Sequence, residues 1–151
     1  MTAMHVLPAT LLILFVPCLA RAVEHPCAKG RLITGTVATF ERGTTFRLTG
    51  STQKYFPGDI VIDPLGGKLP ALRGKVELFV DAETSDRYNR LPVQLFHDKV
   101  WIQGELLEQG QALTFIGPGN LACRRAMLDA ETRFTRRSKN YWRNRGIKLG
   151  A

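Results

Sequence analysis

Residues 74–80 read Gly-Lys-Val-Glu-Leu-Phe-Val, an alternation that sets Val76, Leu78 and Val80 on one face and Lys75, Glu77 and Phe79 on the other. Period two is the mark of a half-buried β-strand, because successive side chains of extended backbone point to opposite faces. Toward the C-terminus, residues 82–90 are a polar turn region, residues 91–96 (LPVQLF) a partner strand, and His97-Asp98-Lys99 its closing turn. Residues 100–109 (VWIQGELLEQ) bring Trp101, Ile102, Glu105, Leu106 and Gln109 to helical spacing, and Gly110 stands where a left-handed residue ends a helix. Residues 112–116 (ALTFI) make a last strand. Pro118-Gly119-Asn120 then turns into a final helix with Asn120 as N-cap and Ala122, Ala126, Ala130 and Phe134 as its apolar stripe, Met127 beside them.

Toward the N-terminus, Leu32, Ile33, Val37 and Phe40 are apolar among polar neighbours, Glu41-Arg42-Gly43 turns the chain, and residues 44–48 (TTFRL) return as a second strand. Short apolar strands follow at 54–56 and 60–62, split by Pro57-Gly58-Asp59, and residues 63–70 (DPLGGKLP) are too interrupted by Gly and Pro for a helix. Several short strands, a helix, a strand and a terminal helix suit an α+β fold of OB type, a small closed Greek-key β-barrel with helices packed on it.

The chain has 151 residues, enough for one domain, and its 44% hydrophobic and 23% charged content is that of a protein with a packed core. Residues 6–19 carry no charge, and Ala20-Arg21-Ala22 is a small-x-small cleavage site, so residues 1–22 read as a signal peptide. The apolar run is too short to span a bilayer, so no transmembrane segment is expected after cleavage and the product is periplasmic or secreted. Residues 23–30 are a lead-in, residues 31–142 the domain and residues 143–151 a basic C-terminal tail. Cleavage removes Cys18 and leaves Cys27 and Cys123, a natural disulfide pair in an exported chain; two separate buried thiols are the alternative.

Residues 74–142 resemble the second half of a staphylococcal-nuclease (thermonuclease) domain. The likeness rests on Asp86-Arg87-Tyr88-Asn89-Arg90 followed by Leu91, on Gln109-Gly110-Gln111-Ala112, on Ala130-Glu131 and on Tyr141-Trp142, in the family's order and spacing. It implies that Arg90, with Arg87 and Tyr88 beside it, contacts a substrate phosphate; Arg90 can equally pair with Asp86 or Glu77 at the surface. The family also uses carboxylates that hold calcium, a hard cation that takes oxygen ligands. Here its DGDT-type turn reads Arg42-Gly43-Thr44-Thr45, with Thr44 at the metal-binding Asp. Setting Asp63-Pro64 against the family's x-Pro puts Ile62 at the second Asp, Leu65 at the Glu and Pro57 at the Arg. Setting Phe46-Arg47-Leu48 against its Arg-Leu element restores an Arg but puts Thr52 and Tyr55 at the acids. Neither register keeps the carboxylates, and the family's first helix has no room in residues 65–73.

Charge sets the function classes. There are 21 Lys and Arg against 13 Asp and Glu, a formal net charge of +8. The excess gathers in the last helix and tail, where Arg124, Arg125, Arg133, Arg136, Arg137, Lys139, Arg143, Arg145 and Lys148 face only Asp129 and Glu131, with Phe134, Tyr141 and Trp142 interleaved. Such a surface suits nucleic acid or anionic lipid. The favoured expectation is a catalytically degenerate nuclease-like domain that binds a polyanion without a cofactor. A second is an active calcium-dependent nuclease using Asp59 and Asp63, with Asp86 or Glu41 assisting, and a third is an envelope scaffold or lipid-binding protein. His5, His25 and His97 form no ligand-type motif, and there is no CxxC, H-E-x-x-H or G-x-S-x-G sequence.

Overall fold

A computed structural model describes residues 24–41, 44–64, 67–81, 84–115 and 121–137. The signal-peptide reading, the Asn120 N-cap, Lys139, Arg143, Arg145 and the rest of the tail lie outside them. The elements are β1 (Arg31–Glu41), β2 (Thr45–Leu48), β3 (Lys54–Pro57), β4 (Ile60–Ile62), β5 (Lys75–Val80), β6 (Arg90–His97), β7 (Val100–Trp101), α1 (Ile102–Glu108), β8 (Ala112–Thr114) and α2 (Leu121–Arg137).

Six strands form one sheet in the order β3-β2-β1-β5-β6-β7. A parallel pairing of β3 with β6, Lys54 opposite Arg90 and Pro57 opposite Val93, joins the two sides, so that β1, β2, β3, β6 and β5 make a near-closed ring. The long first strand makes this turn. Its residues 31–36 pair with β5, its residues 37–41 pair with β2, and the register slips between Val37 and Thr39. A bulge of this kind adds bend and twist, which lets one strand serve both halves of the ring. Strands β4 and β8 form a separate two-stranded sheet.

The alternating strand behaves as its sequence requires: Val76, Leu78 and Val80 are buried, while Lys75 and Glu77 face solvent. Strand β6 departs from alternation, since Gln94 and Phe96 are buried as well as Leu91, Val93 and Leu95. The cause is a second cover. His25 of the lead-in packs edge-on to Phe96, with ring centroids 5.2 Å apart, and lies 4.8 Å from Trp101, while Phe79 takes another edge of Phe96. The lead-in therefore belongs to the packed domain. Cys27 is buried and joined to Cys123 of α2 by a disulfide that spans 96 residues, Cα to Cα 4.5 Å.

Three readings of local structure are corrected. Val100 and Trp101 form β7 against His97 and Phe96, and α1 starts only at Ile102. The buried face of α1 is Ile102, Gln103, Gly104, Leu106 and Leu107, not the stripe containing Glu105 and Gln109, because the helix meets both the ring and α2. On α2 the buried stripe is Cys123, Met127, Ala130 and Phe134, with Ala122 exposed, since the disulfide rotates the first turn to point Cys123 inward. Gly110 does end α1, at φ +68°, and the Phe134 ring fills the place a Cβ would need.

Candidate anion-binding cleft

The cleft begins with a five-residue loop. Asp86 sits ahead of β6 and folds the chain over its own side chain: Oδ1 accepts the backbone N–H groups of Tyr88 and Arg90, each at 2.9 Å. The Asp86 N–H donates to the Arg90 carbonyl and the Asn89 N–H to the Asp86 carbonyl. Asn89 takes φ +55°, a conformation that Asn tolerates better than most residues because its side chain bonds locally. This closure sets Arg90 at the first position of β6.

The Arg90 guanidinium is fixed on three sides. Its Nε donates to Asp86 Oδ2 at 2.8 Å, one terminal nitrogen lies 2.7 Å from the same oxygen, and the other donates to the Thr45 hydroxyl at 3.3 Å. Its carbon lies 4.6 Å from the Phe56 ring centroid and 5.2 Å from that of Tyr88, and Arg87 lies 4.8 Å from the other aromatic partner it shares, Tyr88. Cation–π contacts and a fork-shaped ion pair hold a planar cation in one orientation at small cost.

Neighbouring strands complete the cleft. Lys54 is the register partner of Arg90 across the parallel β3–β6 pair, and Thr45 is the partner of Glu41 across β1–β2. Glu41 binds two cations, Arg47 at 2.6 Å and Lys54 at 2.9 Å. Glu41, Thr45, Lys54, Tyr88 and Arg90 line a cleft of about 390 Å³. Four cations, Arg47, Lys54, Arg87 and Arg90, stand against two carboxylates, Glu41 and Asp86, and Tyr88 remains 58% exposed as an aromatic face beside them. Burial alone would raise the Asp86 pKa, but the bonds from the Arg90 side chain and from the Arg90 and Tyr88 backbone outweigh it and hold the carboxyl low. The bond from Lys54 and the charges of Arg47 and Lys54 likewise hold Glu41 low against a smaller opposing desolvation. Both carboxylates stay ionised at neutral pH and are weak proton acceptors, a poor match to general-base chemistry.

The other candidates fall elsewhere. Asp59, at φ +61° before β4, accepts a bond from Gln94 Nε2 at 3.0 Å, and Gln94 in turn accepts one from the Trp101 indole. Desolvation of its carboxylate end, then the Asp81 charge, push its pKa up against the pull of Gln94 and Arg124. Asp63 is buried after β4, where its backbone N–H donates to the Gln111 carbonyl. Neither lines the Arg90 cleft. Among the described residues no group of three or more His, Cys, Asp or Glu is placed to hold a metal ion. On α2, Arg133 is paired with Glu108 at 2.7 Å, Arg124 lies in the field of Asp59, and Arg125, Arg136 and Arg137 are exposed. No helix among the described residues is long and apolar enough to cross a membrane.

The structure thus brings Arg87, Tyr88 and Arg90 together with residues that the sequence did not single out for binding. Thr45, Lys54 and Phe56 join the cleft through strand pairing, and Glu41, considered as an assisting acid, faces cations instead. The cue was faint: only the closure of the ring places Lys54 beside Arg90, 36 positions away. No protein-family model matches the chain, and no curated protein matches it.

Proposed function

We propose that the chain is an exported, thermonuclease-like domain of OB type that binds a polyanion, single-stranded nucleic acid best of all, at the Arg90 cleft and does not hydrolyse it. The carrying observation is the cleft itself: Lys54 and Arg90, on neighbouring strands, line it with an exposed tyrosine, Arg87 lies against that tyrosine, and Arg47 is bridged to Lys54 through Glu41. Backbone phosphates are met by cations and bases by aromatic faces, and this pairing is how single strands are bound without sequence preference. The near-closed ring of five strands, joined by the β3–β6 pairing, supports the OB reading, since an OB fold is a five-stranded, partly open barrel. The β1–β2 hairpin favours the register with Pro57 at the family's Arg, in which Thr44, Ile62 and Leu65 replace its acids. The disulfide supports an oxidising compartment.

The test is titration of residues 23–151, oxidised, with a fluorescent 12-nucleotide oligothymidylate. Binding should weaken steeply with salt, and Arg90→Ala should weaken it about 10- to 100-fold, the worth of a charge-assisted hydrogen-bond pair. Because Asp86 still folds the loop through backbone bonds, the melting temperature should move little. Cleavage of the same oligonucleotide with calcium, abolished by EDTA, would overturn the non-hydrolytic reading.

A second reading, an anionic lipid surface met by α2, draws on Arg125, Arg136 and Arg137, exposed on a helix that also exposes Leu121 and Leu128. Vesicles containing anionic lipid, titrated beside the oligonucleotide, separate the two. Lipid binding insensitive to Arg90→Ala would favour the helix.

A further inference from the structure

We infer that Glu41 is a built-in competitor for the cleft's ligand, its carboxylate occupying the place between Arg47 and Lys54 that an incoming phosphate would take. The inference rests on the reading of the cleft as a polyanion site. Glu41 ends β1, and its two oxygens are divided between the cations, Oε1 2.6 Å from Arg47 and Oε2 2.9 Å from Lys54. This is the arrangement an anion with two free oxygens would adopt on the same pair. Lys54 is also the register neighbour of Arg90, so a phosphate replacing the carboxylate would sit in line with the cation fixed by Asp86 and Thr45.

Three features separate a displaceable plug from a structural tie. The side chains of Glu41, Arg47 and Lys54 are each about one-third exposed, so the ligand can reach them. Pairs this open contribute little to folding, and the β1–β2 ladder already joins the two strands over four register pairs. Glu41 also meets Arg47 at a terminal nitrogen, while the buried Nε has no hydrogen-bond partner among the described residues, so the pair lacks the Nε-sided fork of a tight Arg–carboxylate tie. A ligand richer in oxygen atoms than a carboxylate would satisfy the Arg47 fork better than Glu41 does.

The expected consequence is selective. A ligand that offers one weak anionic group gains nothing by displacing Glu41, whereas a chain of phosphates supplies enough contacts to push it aside. Glu41 therefore sets a threshold for chain length and charge density, and stops the cleft from filling with simple anions.

The test compares wild type, Glu41→Gln and Glu41→Asp with the 12-nucleotide oligothymidylate and with inorganic phosphate. At about 50 mM salt, Glu41→Gln should tighten oligonucleotide binding about fivefold and steepen the salt slope by roughly one, since one more cation is left to meet phosphate. Inorganic phosphate should compete with the oligonucleotide measurably better in Glu41→Gln than in wild type. Glu41→Asp keeps the charge and should stay within about twofold of wild type. Melting curves for each variant separate any loss of fold from a change at the site. Wild-type binding that Glu41→Gln leaves unchanged or weakens would overturn the competitor role while leaving the cleft reading intact. Absence of oligonucleotide binding by all three proteins would overturn the cleft reading and the inference with it.

Discussion

Loss of the Cys27–Cys123 disulfide should lower the unfolding free energy by about 4 kcal/mol and the melting temperature by about 15 °C. The bond closes a loop over a sequence separation of 96, and a crosslink of that length removes a large share of the conformations open to the unfolded chain. The native side contributes too. The disulfide anchors the lead-in, and the lead-in carries His25 against Phe96 and Trp101. Freed of that anchor, the aromatic faces of β6 and β7 meet water. The measurement is urea unfolding of oxidised protein against the Cys27→Ala/Cys123→Ala double variant, followed by tryptophan fluorescence. A difference under about 1 kcal/mol would show that the lead-in holds without its crosslink. None of the residues that line the cleft belongs to the lead-in or to α2, so oligonucleotide binding by the folded variant should be retained.

Replacing Gln103 by Leu should cost about 3 kcal/mol, an unusually large loss for a polar-to-apolar change in a core. Gln103 is fully buried on α1, and its amide completes the backbone of β6: Oε1 accepts the Leu95 N–H at 3.0 Å, and Nε2 donates to the Val93 carbonyl at 2.7 Å. Val93 keeps a second partner in the Gly58 N–H, whereas the acceptor of the Leu95 N–H is the amide itself. A buried backbone donor stripped of its acceptor bears its desolvation cost in full, which a better-packed leucine does not offset. Gln103→Glu sharpens the case. Ionised, it would bury a charge with one donor lost; protonated, its hydroxyl can donate to the Val93 carbonyl and its carbonyl can accept from Leu95. Its folded pKa would be raised above the ordinary carboxylate value of about 4.3, so between the two values the folded state binds more protons. Stability should therefore rise as pH falls through that window, the reverse of the usual acid limb. Urea midpoints at pH 7 and pH 4.5 give the comparison, and a pH-independent Gln103→Glu would show that water reaches the site.

These residues also show what sequence could and could not convey. The alternation of residues 74–80 was enough to place β5 and its inward face, because a period of two has one geometric meaning. Gly110 likewise announced the end of α1. Gln103 was not legible: a glutamine in a helical run carries no mark of the strand beneath it, and its role comes from an orphan N–H on β6. The α2 stripe held at Ala130 and Phe134 and failed at Ala122, because Ala122 and Cys123 are both small enough for a core and the pairing with Cys27 decides between them. The candidate site divides in the same way. Arg87, Tyr88 and Arg90 are local and readable, being positioned by a loop that closes on its own Asp86. Lys54, Thr45 and the Glu41 bridge depend on the β1–β2 register and on the parallel β3–β6 join, contacts between residues distant in sequence that no short motif encodes.

In the proposed function the polyanion lies in the Arg90 cleft and not along the basic helix. Amide chemical-shift mapping of isotope-labelled protein with the 12-nucleotide oligothymidylate tests it most directly. Saturable shifts are expected at Thr45, Lys54, Tyr88 and Arg90, with α2 residues 125, 136 and 137 little changed. Shifts confined to α2, or none at a tenfold excess of ligand over protein, would contradict it.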